Sequence, residues 1–387
     1  GSGPSFTGDG VSGVFLQDTQ VEQSLIATPY IETGAVTVQA GLLENTPRLD
    51  YSGGATCPSL LLEPSRANLI EQSEYFGDAS WTKQAGTTVS SNSIISPSGE
   101  MNGAEVTIGT NSNASLRANN LVVINTENTF SVYAKKGVGS TSLKLDVGDE
   151  GITTFTLTDQ WQRFEVTGTP TIANREFVDI ALNGNQGDTF YVWGAQLEQA
   201  SYPTSYIPTY GTSQTRAIDS GSTSTPSTSL FGQTEGTLYC EYIAVSDDTT
   251  NQSRFARLRN GSNSNQVYLQ HFANNSILAV VYNGSNQFIG SSSSGFVTAG
   301  ETYKCAVAYK NGDYAFYING QQIGLSSSTG LGTLSLDRFD LTSDGNISKS
   351  VKNAQSLVFK TRLSNLQLAI LTGATTYETF DEMALAL

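Results

Sequence analysis

From Ala67 to Thr209 the chain is cut into short segments in which apolar and polar residues alternate, with clusters of Gly, Asn, Asp and Ser between them. Thr129 to Ala134, Ser142 to Val147, Phe177 to Leu182 and Thr189 to Leu197 each alternate, and Phe155 to Val166 reads as two strands meeting at a turn near Asp159. A period of two gives each strand one apolar face, and many such strands joined by short turns bury those faces by forming a sandwich or barrel. A second block repeats the pattern from Gly236, through Thr237 to Ala244, Arg254 to Leu258, Gln266 to His271, Ile277 to Tyr282, Lys304 to Tyr309 and Tyr314 to Ile318. Asn311-Gly312 and Asn319-Gly320 bracket the last of these as hairpin turns that need positive φ. Charged residues make up 14% of the chain, below the usual ~25%, so little material for surface helices is present. Between the blocks, Thr212 to Ser229 loses periodicity and has linker composition. After Ser364 two short helices are expected, one around Leu366, Leu368, Ile370 and Leu371 and one over Tyr377 to Leu387. The fold class expected over 387 residues is all-β, with tandem antiparallel β-sandwiches and short C-terminal helices.

An internal repeat bears on the organisation. Gly8, Gln20, Glu22, Gln23, Thr28, Tyr30, Ile31 and Thr33 recur without a gap as Gly184, Gln196, Glu198, Gln199, Thr204, Tyr206, Ile207 and Thr209. The second copy closes the first strand-rich block. Residues 1–47 are therefore expected to be the closing segment of an upstream β-sandwich and not a domain of their own.

Thirty-five acidic residues against 20 basic give a net charge of −15, which repels a phosphate backbone, so nucleic acid is not an expected partner. No apolar run approaches the ~20 residues of a spanning helix, so no membrane insertion is expected. Cys57, Cys240 and Cys305 are too few and too dispersed for a disulfide scaffold or a zinc cluster. They read as free thiols, with a Cys240–Cys305 bridge as the alternative. His271 is the single histidine, so a His-containing triad has one candidate and a multi-histidine metal site none. No nucleotide-binding glycine motif is present. Asp146, Asp149 and Glu150 form the densest acidic loop, read either as a solvated turn or as a calcium site.

Several stretches resemble structural proteins of tailed bacteriophages. Arg48-Leu49-Asp50-Tyr51 and Pro58-Ser59-Leu60-Leu61-Leu62-Glu63-Pro64-Ser65-Arg66-Ala67-Asn68-Leu69 look like the lead-in to a carbohydrate-binding-like jelly roll in tail and head fibres. Ser73 to Phe76, Ser80 to Lys83, Phe130 to Gly137, Trp161 to Phe164 and Val192 to Glu198 with Tyr206 to Thr209 resemble the signatures that follow in such modules. The block from Gly236 is similar to concanavalin A-like and laminin-G-like sandwiches, chiefly through Tyr314 to Ile323. The resemblance implies a closing segment over 1–47, a connecting lead-in over 48–66, a jelly roll over 67–211, a linker over 212–232, a concanavalin-like sandwich over 233–364 and a helical tail over 365–387. It further implies a virion appendage, a homo-oligomer with a trimer favoured, and as partners other virion proteins and a host-surface or environmental polysaccharide. A purely structural fibre and the accessory region of a secreted polysaccharide-degrading enzyme are the alternatives.

Two departures favour binding over cleavage. The closing strand has Trp193-Gly194 where related jelly rolls place an acidic calcium ligand, and the Glu-x-Asp-x-x-Glu cluster of concanavalin-like glucanases is absent from the second block. Sugars are held by flat aromatic faces beside amides and acids. Trp81, Tyr191 and Trp193 in the first block, and Tyr268, His271, Tyr282, Asn283 and Phe288 in the second, are the candidate carbohydrate ligands, while Trp161 is expected to pack.

Overall fold

The computed structural model describes residues 20–21, 48–51, 57–110, 114–222, 225–249, 251–342 and 348–374. The expected closing segment before residue 48, apart from Gln20 and Val21, and the second C-terminal helix lie outside the described residues. What is described is almost entirely β. Among the described residues no helix is long and apolar enough to cross a membrane.

The first strands are β1 (Arg48–Asp50), β2 (Ser59–Leu62) and β3 (Arg66–Asn68). The jelly roll then runs through β4 (Trp81–Lys83), β5 (Thr88–Ile94), β6 (Gly103–Thr107), β7 (Ser115–Asn119), β8 (Asn128–Lys136), β9 (Ser142–Val147), β10 (Gly151–Thr156), β11 (Gln162–Gly168), β12 (Phe177–Leu182) and β13 (Thr189–Glu198). Its two five-stranded sheets have the orders β10-β9-β12-β7-β4 and β11-β8-β13-β6-β5. Alternation sets the core: Phe130, Val132 and Ala134 of β8 and Phe190, Val192, Ala195 and Leu197 of β13 face Leu143, Leu145, Val147 and Ile180 of the other sheet.

The second sandwich follows β14 (Gln214–Arg216). Its strands are β15 (Glu235–Ala244), β16 (Ser253–Arg259), β17 (Asn265–His271), β18 (Ile277–Asn283), β19 (Asn286–Ser291), β20 (Thr302–Lys310), β21 (Tyr314–Ile318), β22 (Gln321–Ser326), β23 (Arg338–Asp340) and β24 (Val351–Phe359). A sheet ordered β1-β2-β24-β15-β20-β21-β22 faces one ordered β19-β18-β17-β16-β23. Helix α1 (Asn365–Ala369) opens with a capping box between Ser364 and Gln367 and packs Leu368 against Tyr239 and Tyr317. Cys240 and Cys305 are cross-strand neighbours in β15 and β20, and both are free. Burial pushes the Cys240 thiol up to about 12.

The module boundaries differ from those expected. Residues 48–62 are strands of the second sandwich: β2 pairs with β24, and Leu62 lies in its core. The jelly roll is thus inserted between the first two strands of its neighbour and the rest. The stretch expected to be a linker is fixed to both modules, since β14 pairs with β3, Ser222 bridges to Asp340 and Ser227 N donates to Asp337 O. At the junction Glu63 forms ion pairs with Arg48 (3.2 Å) and Arg216 (3.1 Å) and accepts Ser205 N (2.9 Å), and Arg48 also pairs with Asp219. Tyr202 of the jelly-roll exit accepts Ser350 N at 2.6 Å.

Candidate functional site

The outer face of the jelly-roll sheet β11-β8-β13-β6-β5 carries two of the first block's candidates, Tyr191 and Trp193, because they alternate with the core residues Phe190 and Val192. This face is occupied by the protein itself. Trp193 is 6% exposed, between the rings of Tyr133 (5.4 Å) and Tyr206 (4.7 Å). Gly194, at φ 65 in a bulge of β13, leaves no side chain between those tyrosines, where a Cβ would meet both at 3.3 Å. Tyr191, half-buried, bonds Glu105 across the sheet.

Below Trp193 the module's exit segment is latched onto this face. Gln196 Oε1 accepts Ile207 N (2.7 Å), and its Nε2 donates to Glu198 (2.7 Å) and to Thr204 O (3.2 Å). Glu198 accepts the amide and hydroxyl of Thr204 at 2.8 and 2.6 Å. Thr209 Oγ1 accepts Ser73 N, and Tyr206 donates to Glu74. Asn68 closes the system, donating to Ala195 O and Ile207 O and accepting from Ile70 N and Leu197 N. The repeated residues Gln196, Glu198, Thr204, Tyr206, Ile207 and Thr209 are these latch residues, so in this copy they serve structure and not a ligand site. Burial raises the pKa of Glu74, against the lowering effect of its bonds from Tyr206, Tyr210 and Asn102.

Trp81 is 1% exposed, packs on Phe76 and donates to Gln72 O, so it offers no face to a ligand. Trp161, expected to pack, is the most open of the three tryptophans: it is half-buried and fixed by a 2.9 Å bond to Ile95 O, beside Gly103. The acidic loop does not converge as a calcium site would. Asp146 is buried and accepts Asp149 N, Asp149 pairs with Arg175, and Glu150 accepts from Thr171. Among the described residues no group of three or more acidic, Cys or His side chains is placed to hold a metal.

The candidates of the second block divide by strand phase. His271 (1% exposed) and Phe288 (4%) are inside the second sandwich, and Asn283 donates its side-chain amide to Leu331 O. Tyr268 and Tyr282 are brought together on the outer face of the sheet β19-β18-β17-β16-β23. There Gln266, Tyr268 and Gln270 of β17 alternate with the core residues Val267 and Leu269, and Gln266 is the cross-strand partner of Tyr282. Arg254 holds its guanidinium 4.2 Å from the Tyr268 ring centre. Arg257 and Arg259 occupy the same face, both bonded to Asp340 Oδ2 at 2.5 to 3.1 Å. Two buried acceptors here, Gln266 Oε1 and Asp340 Oδ1, have no hydrogen-bond partner. The face therefore combines two half-buried rings with the half-buried Arg254 and Gln266, while Arg257, Arg259 and Asp340 form a buried charged layer beside them. Arg254 and Gln266 were missed from sequence, although the alternation of Gln266 with Val267 and of Arg254 with Phe255 was a readable signal.

A cleft of about 500 Å³ separates the two sandwiches, lined among others by Arg66, Glu127, Gln199, Asp248 and Asn251. The pKa of Glu127 is raised by burial and by the charge of Asp248.

No family model matches the chain, and no curated protein matches it. Similar solved structures include the CBM40 module of the Ruminococcus gnavus IT-sialidase bound to α2,3-sialyllactose, at 16% identity over 40% of this chain and 94% of that one, with a TM-score of 0.33. A leech intramolecular trans-sialidase is 17% identical over 41% of this chain and 27% of that one, with a TM-score of 0.33. A SAP-like pentraxin from Limulus polyphemus is 12% identical over 41% and 78%, with a TM-score of 0.32.

Proposed function

We propose that the chain is a glycan-binding protein that holds sugar, without cleaving it, on the outer face of the sheet β19-β18-β17-β16-β23. The observation that carries this reading is the meeting of Tyr268 and Tyr282 on one face, with Gln266 beside both and Arg254 over the Tyr268 ring. Rings meet the C-H side of a pyranose, and the amide and guanidinium groups meet its hydroxyls. The single histidine is unsuited to base catalysis at a surface, being buried with its pKa pushed down to about 4. The wider setting is an adhesive appendage on a virion surface, assembled as a trimer with other virion proteins. It is supported by the ordered phage-like signatures from Arg48 to Thr209. Weak single sites would then act together on one surface.

A glycan array with the full chain tests the reading. Binding that falls at least about tenfold in Tyr268→Ala and Tyr282→Ala, and persists in Tyr191→Ala, supports the face. Silence across the array would favour a purely structural fibre. Release of reducing ends from a polysaccharide, abolished by Glu127→Gln, would assign hydrolysis to the cleft where Glu127 and Asp248 both lie, and would overturn the non-enzymatic claim.

A further inference from the structure

Behind the glycan face, inside the second sandwich, one amine is held against one carboxamide. Lys349, just before β24, is 1% exposed, and Asn275, in the turn joining β17 to β18, is 5% exposed. Lys349 Nζ lies 3.3 Å from Asn275 Oδ1, one bond from the carbonyl carbon, and 3.1 Å from His271 Nε2. His271 Nε2 is 2.8 Å from Asn275 Oδ1, and its Nδ1 is 2.7 Å from Tyr242 OH. Both reacting residues are pinned. Asn275 donates its side-chain amide to Asp247 O, and the backbone of Lys349 bonds Ser253 Oγ through both its N–H and its carbonyl.

A buried lysine ordinarily finds a carboxylate. Among the described residues Lys349 Nζ has none as an ion-pair partner, and its contacts are Asp248 O, Asn275 Oδ1 and the imidazole. Because Asn275 Oδ1 can only accept, its 2.8 Å contact with Nε2 is satisfied by the tautomer that carries the proton on Nε2 and accepts from Tyr242 OH at Nδ1. A neutral imidazole N–H thus already points at the oxygen that would become negative if the carboxamide were attacked.

The geometry points to an intramolecular isopeptide bond between Lys349 Nζ and Asn275 Cγ, formed spontaneously in the folded protein. The unprotonated amine adds to Cγ, and Nε2–H of His271 gives its proton to the developing alkoxide on Oδ1. The imidazole is reprotonated from Nζ. Collapse breaks the Cγ–Nδ2 bond and returns the hydroxyl proton to Nδ2, which leaves as ammonia. An amine and a primary amide become a secondary amide and ammonia, with no oxidant or co-reactant. Burial pushes the Lys349 amine down to about 8, partly offset by Asp248 and Asp247, which gives the nucleophile a usable unprotonated fraction near neutral pH. Holding both groups in contact supplies the effective concentration that two such sluggish partners lack in water. The bond would tie the start of β24 to the β17–β18 turn across 74 residues.

Mass spectrometry of the full chain tests this. The folded protein should weigh about 17 Da less than its sequence, and a digest should contain one peptide pair joined through Lys349 and Asn275. Lys349→Met should restore the sequence mass, while Asn275→Asp should keep the link and lose water, about 18 Da, instead of ammonia. Folded protein at its sequence mass, with Lys349 and Asn275 in separate unmodified peptides, overturns the proposal whatever the variants do. A 17 Da loss that survives in Lys349→Met would also overturn it, because that would be cyclisation at an asparagine elsewhere.

Discussion

Asn68 is the residue on which closure of the jelly roll is expected to depend most, and the structure sets the size of the effect. Its side chain is 0% exposed and makes four hydrogen bonds, to Ala195 O (3.1 Å), Ile207 O (2.8 Å), Ile70 N (3.1 Å) and Leu197 N (3.1 Å). Asn68→Ala strands four buried backbone groups on three segments at once. A stranded buried polar group costs about 1–3 kcal/mol, and relaxation and entering water recover part of it, so a loss of about 4 kcal/mol is expected. That is a large share of the ~5–15 kcal/mol that holds a domain folded. Asn68→Asp is a sharper control, since it keeps both acceptor bonds but loses both donors and buries a charge, and it too should destabilise strongly. The assay is built into the sequence: Trp81, Trp161 and Trp193 are the only tryptophans and all lie in the jelly roll, so tryptophan emission in urea follows that module alone. A change below about 1 kcal/mol in Asn68→Ala would mean that the exit segment is held by something else, and the latch argument would fail.

Leu62→Ala should destabilise the second sandwich by about 2–4 kcal/mol, because Leu62 lies in that core although the jelly roll separates it in sequence from β15. Near-ultraviolet circular dichroism of the tyrosines should report the loss, with a smaller change in tryptophan emission. His271 makes the same sandwich sensitive to acid. Its pKa falls from 6.5 unfolded to about 4 folded, so the unfolded chain binds the extra proton between those values, and about 3 kcal/mol present above pH 6.5 is lost as pH falls through that window. Urea titrations at pH 7 and pH 4 should show this slope, and His271→Gln should remove it from the difference between the two curves.

Much of the architecture was legible because it rests on period two. The strands around Phe130, Val178, Val192, Leu269 and Phe316 place those residues in the cores as alternation requires, and the hairpin at Asn319-Gly320 joins β21 to β22 with both residues at positive φ. Alternation says which residues share a face but not what lies on that face. Tyr191 and Trp193 do point outward from β13, yet the exit segment and Tyr206 fill the space beyond Trp193, a long-range fact with no local signal. Trp81 is closed to a ligand in the same way, by its packing on Phe76 and its bond to Gln72 O. In sequence the lead-in reads as a connector, because three residues of β1 and four of β2 are too short to register as strands of a sheet whose other members begin far along the chain.

The repeat shows how a strong sequence signal acquires its meaning only in three dimensions. Gln196, Glu198, Thr204, Ile207 and Thr209 are polar or exit-segment residues that surface alternation alone would make replaceable. Their hydrogen bonds join a closing strand, its exit and the incoming Asn68 and Ser73 into one buried system. Buried polar networks tolerate no partial loss, because each remaining member is left unpaired. Of the residues in 196–209 that recur in 20–33, all but the exposed Gln199 belong to this latch, and none is a core valine or leucine. The face proposed to hold sugar has no such constraint. Tyr268, Tyr282 and Gln266 are surface positions of β17 and β18 whose replacement leaves Val267, Leu269 and Val281 packed, so binding and folding are separable in the second sandwich. Tyr268→Ala is accordingly expected to abolish sugar binding with a stability change of about 1 kcal/mol or less, and a variant that instead unfolds would show that the ring is structural.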